Sequence, residues 1–507
     1  MKRMIVAFIF YFIVNNAHAQ SGYEITINLK NCKDTIAYLT YYQFDKTYIK
    51  DTCTTVKNGK IVFKGKTKLD KGIYSLVSQQ KSIYFDFFID DQNQKLEFQN
   101  DLGANSIEGL IAINSTVENN FIDYLKFVNK QNSDFVLYKN NLNIKTKKDT
   151  LLLQDKQKEL DKKIIDYEHG FLNKHKSTYI GDVINLKMEK ILTEIPKASN
   201  GRPDSLALYN YYKKHYWDDV DFKDDGTMRN PFFHNKLKKY FESIIVTHPD
   251  SAIVEVDRIL EKTKYGSMLY KTLLSNLVYT FETSNKMGFD KVFVHISDHY
   301  FKTGKASGIY DDESVVAKII KRADLLKPLL IGAIAPDLAM IKAEDYPIVK
   351  NMGFELAKNS EEATKVYYAN ENKLNKLFYH LHSVNAKYIV LVFWDVDCGH
   401  CQKEIPKLID LYNVLKKEGK DLKVFGVYTL HEGEKYLKYI EEKGLSDWIN
   451  VYDGAHLNNV VTKYDVYSTP VIYVLDKNKI IKAKRIGVEQ IKDVITEMDK
   501  EYQKNMK

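Results

Sequence analysis

The segment Val390–Pro406 reads VLVFWDVDCGHCQKEIP, and it decides the fold of the C-terminal third of this 507-residue chain. Upstream, YIVLVFW from Tyr388 to Trp394 is an unbroken apolar run, the pattern of a central strand buried on both faces. Downstream, Cys398-Gly399-His400-Cys401 opens a stretch with helical spacing. A Cys-x-x-Cys at a strand-to-helix turn puts Cys398 at a helix N-terminus, where unpaired backbone N–H groups and the helix dipole stabilise a thiolate. Cys401 lies one turn further in, close enough to attack a mixed disulfide on Cys398. Cys398 is therefore the expected nucleophile and Cys401 the resolving thiol, joined as a redox-active disulfide when oxidised.

Around this segment strands and helices alternate. LKVFGVYTL, NVYD and TPVIYVLD supply further strands, and Tyr436–Glu442 and His456–Tyr464 read as helical, which indicates an α/β layer. The N-terminal text differs. YEITINL, TIAYLTYY, KIVFKG, GIYSLVS, SIYFDFFI and KLEFQ alternate in period two, and their spacing predicts a small antiparallel β-sandwich. Asn58-Gly59 between two such runs is a hairpin signal. From about Asn114 to Leu330 the period becomes helical, as in ENNFIDYLKFVNK and DSAIVEVDRILEK, with a helix start just after Pro249. The expected organisation is a signal peptide at 1–19, a β-sandwich domain at 20–113, an all-α domain at 114–331 and an α/β domain at 332–507.

Composition narrows the function classes. Hydrophobic residues make up 44% of the chain and aromatic residues 13%, enough for globular cores. The net charge of +8 arises from 75 basic and 67 acidic residues interleaved along the chain, so nucleic acid is not an expected partner. Lys2 and Arg3, the apolar run Met4–Val14 and Ala17-His18-Ala19 have the form of a cleaved export signal. That run falls short of the roughly 20 residues that span a bilayer. Gln20, not Cys, follows Ala19, so the common lipid-attachment signal is missing. The expectation is an exported mature chain without an integral membrane segment, in the periplasm.

The C-terminal third, about Gly332 to Ile495, resembles the thioredoxin superfamily, and within it the TlpA/ResA-like envelope thiol–disulfide oxidoreductases. GAIAPDL at Gly332 resembles the family's opening strand, and Trp394 precedes the cysteine turn at the usual spacing. Pro406 stands where the family's active-site helix is kinked. Thr469-Pro470 stands where the family carries a cis-proline facing the cysteines. The resemblance implies that Gly399, His400, Trp394, Thr469 and Pro470 form the client-binding surface. It also implies that Glu404, one turn after Cys401, accepts or relays the Cys401 proton. The 72 residues from Cys398 to Pro470 leave room for an inserted helix and strand at about Gly433–Asp453, as in this subgroup.

Two positions depart from the pattern. Val392 occupies the buried-acid position of simple thioredoxins, and Asp397 replaces the aromatic residue before the first cysteine. Asp397 would raise the Cys398 pKa and protonated His400 would lower it. The Gly-His spacer resembles that of protein disulfide isomerases, whose potential is about −180 mV against about −270 mV for thioredoxin. No cofactor and no metal are implied. The implied partners are client proteins with disulfides or thiols and an envelope electron donor or acceptor.

Other readings stand beside this one. The thioredoxin fold serves either as an enzyme or as a protein-binding scaffold whose cysteine pair is mostly idle; a peroxidase lacks its Thr-x-x-Cys setting. A Cys-x-x-Cys is also half of a zinc site, but no second half is recognisable. Cys32 and Cys53 form either a structural disulfide or two unpaired thiols; a turn near Phe44 places Cys53 opposite Thr35. His295 and His299 have the spacing of metal ligands but also of an ordinary amphipathic helix. His380 and His382 read as surface or packing residues. HYWDDVDFKDDGTMRNPFF at His215 and MGFDKVFVHISDHYF at Met287 resemble recurring text of the helical region in envelope proteins of this kind. The first two domains are expected to dock partners or to hold the active site at a fixed reach.

Overall fold

The computed structural model describes residues 22–505 except 104, 105, 143, 191 and 193; the expected signal peptide at 1–19 lies outside the described residues. Eight strands come first: β1 (Tyr23–Leu29), β2 (Ala37–Gln43), β3 (Lys46–Cys53), β4 (Lys60–Gly65), β5 (Gly72–Val77), β6 (Ile83–Ile89), β7 (Lys95–Asn100) and β8 (Leu110–Ala112). They form two four-stranded sheets, ordered β4-β1-β7-β8 and β3-β2-β5-β6. Alternation builds the core: every second residue of β1 is buried, and Ile25 and Ile27 meet Leu39, Phe63, Phe87 and Phe98.

The sandwich is not wholly antiparallel. β1 and β7 run parallel, because the chain passes through β5 and β6 of the other sheet before returning beside β1. Asn58-Gly59 is a tight turn with φ of 51° and 76°, as its residue types require, and an antiparallel bridge between Lys57 and Lys60 closes it, but the pairing goes no further. β3 pairs with β2 and β4 with β1, so this turn changes sheets. Cys53 lies opposite Ala37, not Thr35, because β2 and β3 turn between Phe44 and Asp45 and slip by one residue at a bulge after Leu39. Cys32 and Cys53 are both free thiols packed against the sandwich core.

Nine α-helices follow among the described residues: α1 (Thr116–Asn141), α2 (Lys147–His175), α3 (Tyr179–Asn185), α4 (Ser205–His215), α5 (Pro231–Lys239), α6 (Pro249–Lys262), α7 (Met268–Glu282), α8 (Asp290–Ile296) and α9 (Glu313–Leu326). α6 starts at Pro249, a residue whose missing N–H costs nothing in a first turn. Within α1, Glu118 is fully buried and accepts hydrogen bonds from the Phe88 N–H at 3.0 Å and Asn93 Nδ2 at 3.2 Å.

The last region contains β9 (Ala339–Lys342), α10 (Tyr346–Lys350), α11 (Ser360–Leu374), β10 (Phe378–His380), β11 (Tyr388–Trp394), α12 (Cys401–Lys417), β12 (Leu422–Tyr428), α13 (Gly433–Lys443), β13 (Ile449–Tyr452), α14 (Val460–Lys463), β14 (Val471–Asp476), β15 (Ile481–Lys484) and α15 (Val488–Asn505). Its seven-stranded sheet has the order β10-β9-β13-β12-β11-β14-β15, with β11 at the centre and parallel to β12. All seven residues of β11 are buried. The inserted helix and strand are α13 and β13.

GAIAPDL is not a strand. It makes one bridge, Ile334 to Ile480, and bonds alongside β15 through Gly332 and Ala335. The helix expected over His456–Tyr464 shrinks to α14, because His456 adopts a left-handed φ of 54° and the Asp453 carboxylate collects the N–H groups of Leu457 and Asn458.

The described residues divide into two compact units, one running to Thr247 and including Ile259–Thr272, the other His248–Arg258 with the residues from Leu273 onward. The second unit joins α8 and α9 to the α/β region. Two ion pairs mark this union: Arg322 on α9 with buried Asp465, and Asp290 on α8 with buried Lys484. No helix among the described residues is long and apolar enough to cross a membrane.

Candidate active site

β11 ends at Trp394 and α12 begins at Cys401, so six residues turn the chain from sheet to helix. Asp395 shapes that turn. Its Oδ1 accepts the N–H of Asp397 at 2.8 Å and of Cys398 at 2.7 Å. The Cys398 carbonyl accepts the Gln402 N–H at 3.0 Å and thereby leads into α12. Pro406 lies inside that helix.

The two sulfurs occupy unlike surroundings. Cys398 is half-buried, and its Sγ stands 3.1 Å from the Thr469 carbonyl oxygen and 3.4 Å from the Cys401 backbone nitrogen. The Thr469–Pro470 peptide is cis. Burial works against the Cys398 thiolate, but hydrogen bonds from the Cys401 N–H and thiol and from the His400 N–H oppose it, and the thiol falls below its ordinary value; the Thr469 hydroxyl is committed to the Asp395 carboxylate. Cys401 is buried, 1% exposed; burial first, opposed by the Asp395 N–H and aided by Cys398, pushes its thiol up to about 12. The arrangement favours the thiolate at Cys398 and the protonated thiol at Cys401 behind it.

The remaining expected residues distribute as follows. Gly399 and His400 are exposed on the turn, and no atom lies within 4 Å of the place a Gly399 Cβ would take. Thr469 and Pro470 are half-buried beside Cys398. Trp394 is fully buried against Tyr439 and Tyr436, at ring distances of 5.2 and 5.6 Å; it forms the wall behind the turn and not a surface for a client. Val392 is core. The Glu404 carboxylate, 27% exposed, meets Lys407 at 2.6 Å. Asp397 forms an ion pair with Lys435 on α13, so its charge is answered across the groove and not left facing the thiol. That groove, about 410 Å³, runs between α12 and α13 past Gln402, Pro406 and Tyr439.

Away from the turn, His295 Nε2 lies 2.9 and 3.0 Å from the two Asp257 oxygens, and its ring stacks on His299 at 4.0 Å. No cluster of three or more His, Cys, Asp or Glu residues suited to a metal occurs among the described residues. His380 contacts Asp337, and His382 contacts the Ala335 carbonyl. The residue missed in the sequence is Asp395. Its signal was there: an aspartate two residues before a turn N–H is a common side-chain cap.

Comparison with known proteins gives three family matches. Residues 385–481 match a family described as thioredoxin-like, and residues 23–109 and 154–312 match two domains of unknown function, DUF4369 and DUF5106. The thiol–disulfide oxidoreductase ResA of Geobacillus kaustophilus is 29% identical over 117 residues, 22% of this chain and 63% of that protein. The ResA of Geobacillus thermodenitrificans is 29% identical over 112 residues, 22% of this chain and 60% of that one. The chain thus spans about three fifths of the length of these curated relatives. Among solved structures, a domain of a possible thiol–disulfide isomerase from Cytophaga hutchinsonii is 33% identical, with 35% of this chain and 98% of that one covered and a TM-score of 0.27. Through the domain that carries Cys398 and Cys401, this chain belongs to the TlpA/ResA-like thioredoxin-fold proteins.

Proposed function

We propose that this protein is an exported thiol–disulfide oxidoreductase that reduces or rearranges disulfides of client proteins in the periplasm. The observation that carries the proposal is the placing of the two sulfurs: half-buried Cys398 beside the cis Thr469–Pro470 peptide, with Cys401 buried behind it, surroundings that lower the first thiol and raise the second. The Cys398 thiolate attacks one sulfur of a client disulfide; a mixed disulfide forms and the other client sulfur leaves as a thiolate. Cys401 then loses its proton and attacks Cys398 Sγ, which releases the second client thiol. Two electrons pass to the client, and the Cys398–Cys401 disulfide returns to the dithiol at the expense of a donor dithiol.

Gly399, His400, Thr469 and Pro470 border the nucleophile and are the proposed client contacts. Glu404 is the proposed acceptor of the Cys401 proton, one turn beyond it on α12. The β-sandwich and the helices are proposed to dock partners.

Reduction of insulin by the wild type and by Cys398→Ser tests the function. Equal rates would leave a protein-binding scaffold in its place. A redox titration of the pair then assigns direction: a potential near that of disulfide isomerases, about −180 mV, supports rearrangement, and one near about −270 mV supports reduction.

A further inference from the structure

Asp395 touches every part of the site that must keep its place. One carboxylate oxygen takes the N–H groups of Asp397 and Cys398, at 2.8 and 2.7 Å. The other accepts the Thr469 hydroxyl at 3.1 Å, 74 residues along the chain. Thr469 in turn presents its carbonyl to Cys398 Sγ at 3.1 Å. Nucleophile turn and cis-proline loop thus meet at one side chain.

We propose that Asp395 is a positioning residue for thiol–disulfide exchange: it ties Thr469 to the Cys398 turn and so fixes the direction from which a client disulfide meets Cys398 Sγ. This inference rests on the oxidoreductase reading of the site. The physical ground is that attack on a disulfide needs three sulfurs nearly in line, so a loop that drifts by a fraction of an ångström loses rate even when the thiolate is fully formed. Turn and loop lie on separate stretches, the one after β11 and the other before β14, and the Asp395–Thr469 bond joins their side chains directly. An aspartate also has the right valence here. Its two oxygens accept three hydrogen bonds at once, and a shorter or apolar side chain cannot reach both segments.

The test is single turnover of the reduced full-length protein with oxidised insulin, followed from pH 5 to pH 10. Asp395→Ala is expected to lower the plateau rate at high pH by about tenfold or more, the weight of one hydrogen bond to a charged group. Asp395→Asn keeps the turn's acceptor and can still meet the Thr469 hydroxyl, so it is expected to restore most of the plateau. Because it removes a negative charge near the sulfur, it also shifts the inflection to lower pH. Thr469→Val, which deletes only the hydroxyl, should fall with Asp395→Ala, and Thr469→Ser should recover; this pair decides the matter if Asp395→Ala does not fold. A wild type that leaves insulin oxidised overturns the oxidoreductase reading itself. A reactive wild type matched at the plateau by Asp395→Ala or Thr469→Val overturns the positioning role alone, as does failure of Asp395→Asn to restore the rate.

Discussion

Arg322 on α9 reaches Asp465 with both terminal guanidinium nitrogens, one of them at 3.0 Å, five residues before Pro470. Asp465 is only 2% exposed and holds a left-handed φ of 57°, and Arg485 takes a further share of its carboxylate. A residue far before the cysteines therefore braces the loop that faces them. Arg322→Ala in the full chain is expected to destabilise the second unit by roughly 1.5–3 kcal/mol, the loss of a charged hydrogen bond with Arg485 still in place. Amide exchange over residues 464–470 is the direct check, and it should quicken. Unchanged exchange there would detach α9 from the site.

The sulfur asymmetry predicts the order of alkylation. At pH 7 a limiting amount of iodoacetamide should label Cys398 first, since its pKa lies below the ordinary thiol value, while Cys401 stays unlabelled until the pH nears its raised value of about 12. Cys398→Ser should bring client turnover to the uncatalysed background. Cys401→Ser should instead accumulate the mixed disulfide, which peptide mapping would find on Cys398.

Glu118 gives a pH prediction in the first unit. Its carboxyl is raised well above the ordinary range, first by burial, with the Phe88 N–H and Asn93 opposing. The folded state thus favours the neutral acid. Its contribution is fully present below the unfolded value near 4.5 and is lost as pH rises toward the folded value. Glu118→Gln should match the wild type in acid and exceed it at pH 8, by roughly 1–3 kcal/mol if one buried polar atom sets the scale. Denaturant midpoints at pH 4 and pH 8 measure the difference.

The parts legible in the sequence are those set by local pattern. The run YIVLVFW is continuous because β11 is covered on both faces, and β1 alternates because one face of its sheet is covered. β3 was legible only through the turn expected near Phe44: most of KTYIKDTC is exposed on both faces of an edge strand, so no alternation is imposed on it. The cysteine pair, Pro406 and Thr469-Pro470 were readable because their chemistry is tied to residue type and spacing. What was not readable depends on distant partners. Asp397 faces Cys398 in the sequence, but Lys435 from α13 takes its carboxylate. Asp395 carries no family signature, and its meaning comes from Thr469. Likewise the boundary expected at residue 332 follows a change of period, whereas the contacts of Arg322 and Asp290 bind helices before that point to the sheet after it.

Glu404 offers the sharpest separation between a proton acceptor and a surface ion pair. In the proposed cycle Cys401 must lose its proton before it releases the client, and a thiol raised to about 12 is almost wholly protonated at pH 7. Some base must therefore act in the second step and none is needed in the first. If Glu404 is that base, Glu404→Gln leaves the formation of the mixed disulfide unchanged and slows its resolution by about tenfold or more, at the low end of what general base catalysis contributes. Lys407→Ala separates the alternatives further. It removes the 2.6 Å partner of Glu404 but leaves the carboxylate, so a pure ion-pair role makes the two variants alike, whereas a base role slows only Glu404→Gln. Rapid-quench analysis of the mixed disulfide in both variants resolves the two steps, and equal resolution rates in Glu404→Gln and wild type would assign the proton to another acceptor.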